Sequence, residues 1–368
     1  MILRRLVDRR GQRFGSAAGI ALAVLALAAA APDAAAISRT FVASFGSDTN
    51  PCSLALPCRG LTVALAATDP GGEIVVLDSA GYGAVTIGKS VSITVPAGIY
   101  AGVSVLSGDG ITVNGAGIKV ELKGLTINGQ GGVHGIRFVQ GARLTVGGCQ
   151  IVGMGGNGIR VEGAGTVLVT HTSIRGSAQE GIFVNAAANV NVVRSRVQSS
   201  GGDGIAMGGG AAGTIGRTLV SDNGLFGITA SQGASGTTRI AIDDTAVTDN
   251  DGATGVYAEG FGAGAVAQID LTNSLVTRNF NGVYAQSQAG GTAAVSATSN
   301  RVVENQQVGV TTATSGGTTT LRASRNGVFG NPVAGLLQSS GSLYTSGQNY
   351  VRDNAGGDNF GAQGDSLL

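Results

Sequence analysis

Residues 204–231, GIAMGGGAAGTIGRTLVSDNGLFGITAS, hold one full turn of the pattern that decides the fold. The stretch opens on Gly204-Ile205, passes Val220 and Asn223, and returns to Gly-Ile at Gly227-Ile228. The Gly-aliphatic pair recurs at Gly135-Ile136, Gly158-Ile159 and Gly181-Ile182 before it, and at Gly255-Val256, Gly282-Val283, Gly309-Val310 and Gly335-Leu336 after it. Four spacings of 23 residues are followed by 28, 27, 27 and 26. A fixed period of that size is the mark of a repeat architecture, in which each unit is one supersecondary element stacked on the next.

A second register runs inside the first. An aliphatic residue precedes an asparagine by three positions in Val220/Asn223, Val247/Asn250, Val276/Asn279, Val302/Asn305, Val328/Asn331 and Val351/Asn354. Asparagine tolerates left-handed turns and bonds locally, so coils stacked in register predict an amide ladder through these six residues. Between the registers lie stretches such as Val266-Ala267-Gln268-Ile269-Asp270-Leu271, whose alternation has the period of a strand with one face inward. Each unit therefore holds about three short strands and three turns. Further strands are expected upstream at 74–77, 84–87, 91–95, 103–105, 111–113 and 119–122, giving about a dozen coils. At about 4.8 Å per coil the rod is roughly 55–60 Å long.

The first 36 residues stand apart. Arg4, Arg5, Arg9, Arg10 and Arg13 precede an uncharged Ala/Leu/Val run from Ala17 to Ala31, and Ala34-Ala35-Ala36 offers a cleavage point before Ile37. This is the layout of an export signal; the run is shorter than the roughly 20 residues of a bilayer span, with an N-terminal anchor as the alternative. The protein is expected to be exported, and then periplasmic, cell-surface or secreted. Without that leader, 18 basic and 20 acidic residues leave a net charge near −2. Such a balance supplies no general basic field for nucleic acid or anionic lipid.

Domain expectations follow: 1–36 signal peptide, 37–72 an N-terminal cap, 73–357 the solenoid and 358–368 a polar tail. Within the cap, Cys52 and Cys58 are close in sequence and expected to form a disulfide in an oxidising compartment. The Ala/Leu-rich stretch 59–68 is expected to be a short helix over the first coil, whose open core needs covering. Cys149 falls in a core-facing register and reads as a buried thiol. His134 and His171 occupy different registers and read as solvent-facing or turn residues; three cysteines and two histidines offer no metal set.

Thr40-Phe41-Val42, Gly46-Ser47-Asp48, Pro51-Cys52, Pro57-Cys58-Arg59, 72–77 and Gly81-Tyr82-Gly83, together with the coils that follow, resemble exported bacterial right-handed parallel β-helix repeat proteins of the pectin-lyase-like superfamily. The resemblance covers nearly the whole chain after the leader. It implies an all-β fold, a right-handed parallel β-helix solenoid of about a dozen coils with a short N-terminal capping helix. It also implies a site on a groove along a parallel sheet, with clustered carboxylates, or with calcium and an Arg or Lys base were the chain a lyase; no other cofactor is expected.

Asp243-Asp244 is similar to the paired aspartates of the polygalacturonase-like hydrolases, but their Gly-His-Gly, Asn-x-Asp and Arg-x-Lys companions are absent from this sequence. The column before the Asn ladder reads Asp222, Asp249, Arg278, Glu304, Gly330, Asp353, so Arg278 is placed to bridge Asp249 and Glu304. These five, Asp243, Asp244, Asp249, Arg278 and Glu304, are the catalytic candidates, with turn chemistry and surface ion pairs as the alternative. Arg137 and Arg160, just after the Gly-Ile register with Glu162 nearby, are candidates to line a polar strip. Tyr257 and Tyr284 precede matching insertions (230–236, 258–264, 285–291 and 312–317) and are candidates for a small sugar-stacking platform.

Three functions remain in play at this point. The favoured one is non-catalytic presentation of a rigid face to a polysaccharide or cell-surface partner. The others are a divergent polysaccharide lyase or glycoside hydrolase acting on acidic glycans, and an adhesin-like rod.

Overall fold

The computed structural model describes residues 38–364 apart from Asp251 and Gly347. The expected leader and the last four residues of the expected tail lie outside the described residues. Every coil runs through three parallel sheets in the order A, B, C. Sheet A has 14 strands from Arg39–Val42 to Gln363–Gly364, sheet B 12 from Ala80–Gly81 to Tyr350–Arg352, and sheet C 12 from Val85–Ile87 to Asn359–Phe360. All the pairings within the sheets are parallel and join one coil to the next, as in Ile182↔Ile205 and Ile205↔Ile228. The chain is thus a parallel β-helix.

Inward residues fill the bore. Ile136, Ile159, Ile182, Ile205, Ile228, Val256, Val283 and Val310 of the Gly-aliphatic register are fully buried. The glycine before each is needed for space rather than for an unusual backbone angle. A Cβ on Gly282 would lie 2.4 Å from the Gly309 carbonyl oxygen and 2.4 Å from Val302 Cγ1. Coil stacking has removed the room for any side chain there.

Two sharp corners shape the coil, and each uses the same device. At the B–C corner a residue with left-handed backbone (Asp222, Asp249, Arg278, Glu304, Gly330, Asp353) precedes a buried ladder residue (Asn223, Asn250, Asn279, Asn305, Asn331, Asn354). Asn279 illustrates the ladder. Its Oδ1 accepts from Asn250 N–H (3.1 Å) and Asn250 Nδ2 (2.8 Å), while its Nδ2 donates to the carbonyls of Val247 and Thr277 and to Asn305 Oδ1 (each 3.1 Å). A left-handed backbone costs a non-glycine residue roughly 1–2 kcal/mol, which the buried hydrogen bonds offset.

Asn331 continues the ladder without a charged residue in front of it. Its Oδ1 accepts from Asn305 N–H (3.0 Å) and Asn305 Nδ2 (3.1 Å), and its own N–H and Nδ2 donate to Asn354 Oδ1 at 3.0 and 2.9 Å. The preceding position is Gly330, φ 72°, so this coil adopts the left-handed turn without the side-chain strain of its neighbours and interrupts the outer charged column. The amide chain also runs beyond the six expected residues at both ends. Upstream, Ser200 N–H donates to Asn223 Oδ1 (3.0 Å), and Asn223 in turn donates to Asn250 Oδ1. Downstream, Asp358 Oδ1 accepts from Asn354 N–H and Nδ2 and closes the ladder with a carboxylate.

The A–B corner carries a second ladder that the aliphatic-to-Asn spacing did not reveal. Left-handed His171, Arg194, Arg217, Asp244, Asn273, Ser299 and Arg325 each precede a buried polar residue: Thr172, Ser195, Thr218, Thr245, Ser274, Asn300 and Asn326. Ser274 N–H donates to Asn300 Oδ1 (2.9 Å), Asn300 to Asn326 and Asn326 to Asn349. Cys149 stands at the head of this column, its N–H donating to Thr172 Oγ1, and burial pushes its thiol up to about 11.

The helix Leu61–Ala67 lies over the first coil and buries Leu61, Ala64 and Leu65. Asp48 accepts the N–H groups of Arg59 and Gly60 (2.9 Å each), holding its start, and Cys52 and Cys58 are disulfide-bonded.

Two boundaries and the shape of the longer coils differ from expectation. Sheet A begins at Arg39, inside the expected cap, because Arg39–Val42 pairs with 73–76. At the far end 359–360 and 363–364 pair with sheets C and A, so the solenoid runs past 357 into the expected tail. The extra residues of the longer coils do not form loops. They lengthen strands to as many as eight residues, as in Thr254–Phe261 and Ala265–Thr272, since each added pair finds a backbone partner in the neighbouring long coil.

Candidate functional site

The expected catalytic acids are held as turn acceptors. Asp243, the last residue of its strand, accepts from Asn273 Nδ2 and Thr272 Oγ1 (2.8 Å each), and these donors hold its carboxyl below the usual range. Asp244 has left-handed backbone and faces Arg217 at 3.5 Å, both more than half exposed. Asp249 takes a fork from Arg278, with Nε to Oδ1 at 2.6 Å and Nη2 to Oδ2 at 2.7 Å, which depresses its carboxyl pKa. The expected bridge is one-sided: Arg278 spends its fork on Asp249, and Glu304 and Asp222 add only longer-range attraction. Exposed pairs of this kind contribute about 0–1 kcal/mol. Asp243 and Asp249, whose ionised forms these donors favour, are poorly suited to act as general acids near neutrality.

Arg137 and Arg160 are register partners on sheet C. They share Glu162, at 2.9 and 2.6 Å, and the two guanidiniums lower its pKa against the effect of burial. Arg137 also reaches Asp109 at 3.5 Å; Arg160 reaches Asn157 and lies 5.0 Å over the Phe183 ring. The strip exists, but its charges are committed to one another. His134 is buried here rather than solvent-facing; its Nδ1 accepts Asn157 N–H (3.0 Å), and burial lowers its pKa. Tyr257 is only 5 % exposed, stacked on Phe226 at 4.5 Å and against Tyr284 at 5.3 Å, with its hydroxyl donating to Gln286. Its faces are covered by neighbouring coils and are closed to a sugar ring.

Sequence reading missed the next acids in this column, Glu180 and Asp203, although they follow Asn157 at the 23-residue period. Asp203 is 8 % exposed, accepts Phe226 N–H (3.2 Å), and burial, with Glu180 adding to it, pushes its carboxyl up to about 6. A carboxyl that binds its proton more tightly in the folded rod stabilises the rod at low pH. That contribution falls away as pH rises from about 4 through about 6, by up to about 3 kcal/mol. Asp203→Asn is therefore expected to be more stable than the parent at pH 7 and to lose that advantage at pH 4. Urea midpoints at the two pH values test this; an equal difference at both contradicts it.

Sheet A presents the longest outward face. Asp270, Ser296, Arg322 and Tyr344 form one outward column; Gln268, Ala294 and Thr320 form the next. Ala294 and Ser296 are small between larger neighbours, which leaves a hollow of ≈ 280 Å³ ringed by Arg239, Gln268, Asp270, Thr320 and Arg322. Arg239 Nε donates to Gln268 Oε1 (2.7 Å) and Arg322 lies 4.7 Å over the Tyr344 ring, so both guanidiniums are braced at the rim. Neither arginine had been singled out, since they fall in adjacent columns three coils apart and meet only once the register is known.

Comparison with known proteins places the fold. Two overlapping matches to the right-handed β-helix region family, over residues 109–264 and 180–355, take in more than half of the sequence, and the chain belongs to that family. A comparison with curated proteins finds no match. Among solved structures the Dettilon tailspike protein (gp208) is 14 % identical, with a TM-score of 0.61 over 87 % of this chain and 68 % of that one. The A-module of the Azotobacter vinelandii mannuronan C-5 epimerase AlgE4 is 15 % identical, with a TM-score of 0.58 over 80 % of this chain and 89 % of that one. XylC, solved in complex with xylose, is 9 % identical, with a TM-score of 0.51 over 82 % and 69 %. At these identities the likeness shows a shared fold. Among the described residues no helix is long and apolar enough to cross a membrane, and no group of three or more His, Cys, Asp or Glu is arranged to hold a metal ion.

Proposed function

We propose that the protein is a polysaccharide-binding rod that holds its ligand along the sheet A face without cleaving it. The observation that carries this reading is the braced polar hollow at Arg239, Gln268, Asp270, Ser296, Thr320 and Arg322. Its floor is apolar at Ala294 and Val295 and its rim offers both donors and acceptors, the combination that fits a sugar's alternating C–H and hydroxyl surfaces. Two proteins of this fold whose names refer to mannuronan and to xylose make a saccharide the natural ligand class. Binding rather than turnover is favoured by the carboxylates named above, which are taken up by turn donors and arginines.

The test is affinity electrophoresis of the full chain through gels cast with a panel of neutral and uronic-acid polysaccharides. At least one polymer should retard the protein, and Arg239→Ala with Gln268→Ala should weaken that retention about tenfold or more. Retention by no polymer, or retention indifferent to both substitutions, contradicts the assignment.

A second reading has one observation in its favour: Asp203, pushed up to about 6 beside Glu180, is a carboxyl pair with a proton to give. Asp203 nonetheless lies almost wholly beneath the surface with one oxygen on a backbone N–H. A hydrolase using it would release new reducing ends, and Asp203→Asn would abolish them.

A further inference from the structure

The A–B corner carries basic side chains that the rod leaves unneutralised. His171, Arg194 and Arg217 occupy successive left-handed positions, φ 49°, 50° and 51°, one coil apart, and that backbone turns each side chain outward. Arg196 lies beside them in sheet B in register with Ser173, and Arg175 follows two residues after Ser173. Arg175, Arg194 and Arg196 contact no carboxylate, carbonyl or ring within the described residues. Arg217 has only Asp244, at 3.5 Å and in the open. Arg137, Arg160 and Arg278, by contrast, each hold a carboxylate at 2.9 Å or closer.

These groups line a furrow. One depression of ≈ 410 Å³ and another of ≈ 520 Å³ share Arg196 as a common wall and run from Gly148 to Ala246. The corner positions 148, 171, 194, 217 and 244 span four coil steps of about 4.8 Å, roughly 19 Å along the axis. Four guanidiniums in so short a track repel one another, and a ligand whose negative groups recur along the same axis relieves that repulsion. Serine, threonine and glutamine between them supply hydroxyl and amide partners.

We propose that this furrow binds a linear anionic polysaccharide laid along the rod, its carboxylate or sulfate groups meeting Arg175, Arg194, Arg196 and Arg217. The class of polymer rests on the reading of the rod given above; the position does not, since the furrow shares no residue with the sheet A hollow. A nucleic acid fits less well. The formal net charge of the chain is only +1, so no broad basic field surrounds the furrow, and apart from His171 no ring lines it on which bases stack.

The experiment measures binding of the full chain to dextran sulfate, to uncharged dextran and to duplex DNA. Dextran sulfate should bind tightest, and its affinity should fall about tenfold or more between about 50 and about 500 mM NaCl, as the screening length shortens several-fold. The double variant Arg194→Gln/Arg196→Gln should lose at least tenfold in dextran sulfate affinity while its thermal melt stays in place, because neither side chain supports the fold. Unchanged affinity in that variant, salt-insensitive binding, or tighter binding to DNA than to dextran sulfate overturns the proposal. Neutral polymers in the electrophoresis panel report on the sheet A hollow separately, so a failure there leaves this result standing and the converse holds as well.

Discussion

Asn279→Ala is expected to destabilise the rod by about 3–5 kcal/mol, because it strips five hydrogen bonds from a fully buried site. Alanine leaves the Asn250 N–H without its acceptor and the Asn250 amide with only the Thr248 carbonyl, and it takes one donor each from the carbonyls of Val247 and Thr277, the latter still accepting from Asp249 N–H. Each buried polar group left unmade costs about 1–3 kcal/mol, with the total moderated by relaxation. Stability in a repeat array is a sum of coil and interface terms, so the loss should be local. Hydrogen exchange should show early opening around 247–305, while coils before about residue 200 keep their protection. Uniform loss of protection along the rod would show that the ladder does not act coil by coil.

Gly282→Ala should be comparably damaging for the opposite reason. The added methyl meets the Gly309 carbonyl oxygen and Val302 Cγ1, each at 2.4 Å, and Asn305 Nδ2 at 2.9 Å. A backbone oxygen cannot swing aside as a side chain does, so relief requires the coils to part. Overpacking of this kind costs about 1–3 kcal/mol and sometimes more; with backbone and ladder both in the way, the upper end, about 3 kcal/mol, is expected in urea unfolding. The contrasting control is Gly71→Ala. A Cβ on Gly71 meets nothing within 4 Å, although φ of +87° still imposes a backbone penalty; its loss should be clearly smaller. Equal losses at the two sites would mean that backbone conformation, not space, accounts for the glycine register.

The contrast between these positions explains what the sequence disclosed. Features that repeat on one spacing are visible in a single chain. The Gly-aliphatic pair and the six asparagines recur because the bore and the B–C corner impose the same demand in every coil, so solenoid, strand count per coil and ladder could all be read. Even Asn331, whose neighbour Gly330 breaks the charged column, keeps its place because the buried amide answers to the coils above and below and not to the residue beside it. Ser200 and Asp358 escaped notice at the two ends, since neither is an asparagine. The A–B ladder obeys the same geometry, yet Thr172, Ser195, Thr218, Thr245 and Ser274 serve there before Asn300 takes over. A column filled by changing residue types has no sequence signature until coils are aligned.

The candidate sites fared differently. Arg278 and Asp249 do meet, as their one-coil separation suggested, and Asp244 faces Arg217 from the neighbouring coil. Those pairings made the acids turn and surface partners, which identity alone does not decide. Tyr257 and Tyr284 do align, but burial depth, which alternation gives only as inward or outward, closed Tyr257 to a ligand and left Tyr284 half-buried against it. The basic furrow was hidden by averaging: a balanced net charge says nothing of where charges gather, though His171, Arg194 and Arg217 stand 23 residues apart in plain view.

The central claim, that the rod holds a polysaccharide without cutting it, is tested most directly by incubating the full chain with each polymer that retards it and following both partners. The protein should co-elute with polymer of unchanged length, with no new reducing ends and no unsaturated products, with or without calcium. Shortened polymer, lost together with activity in Asp203→Asn, would contradict the account and make the protein an enzyme.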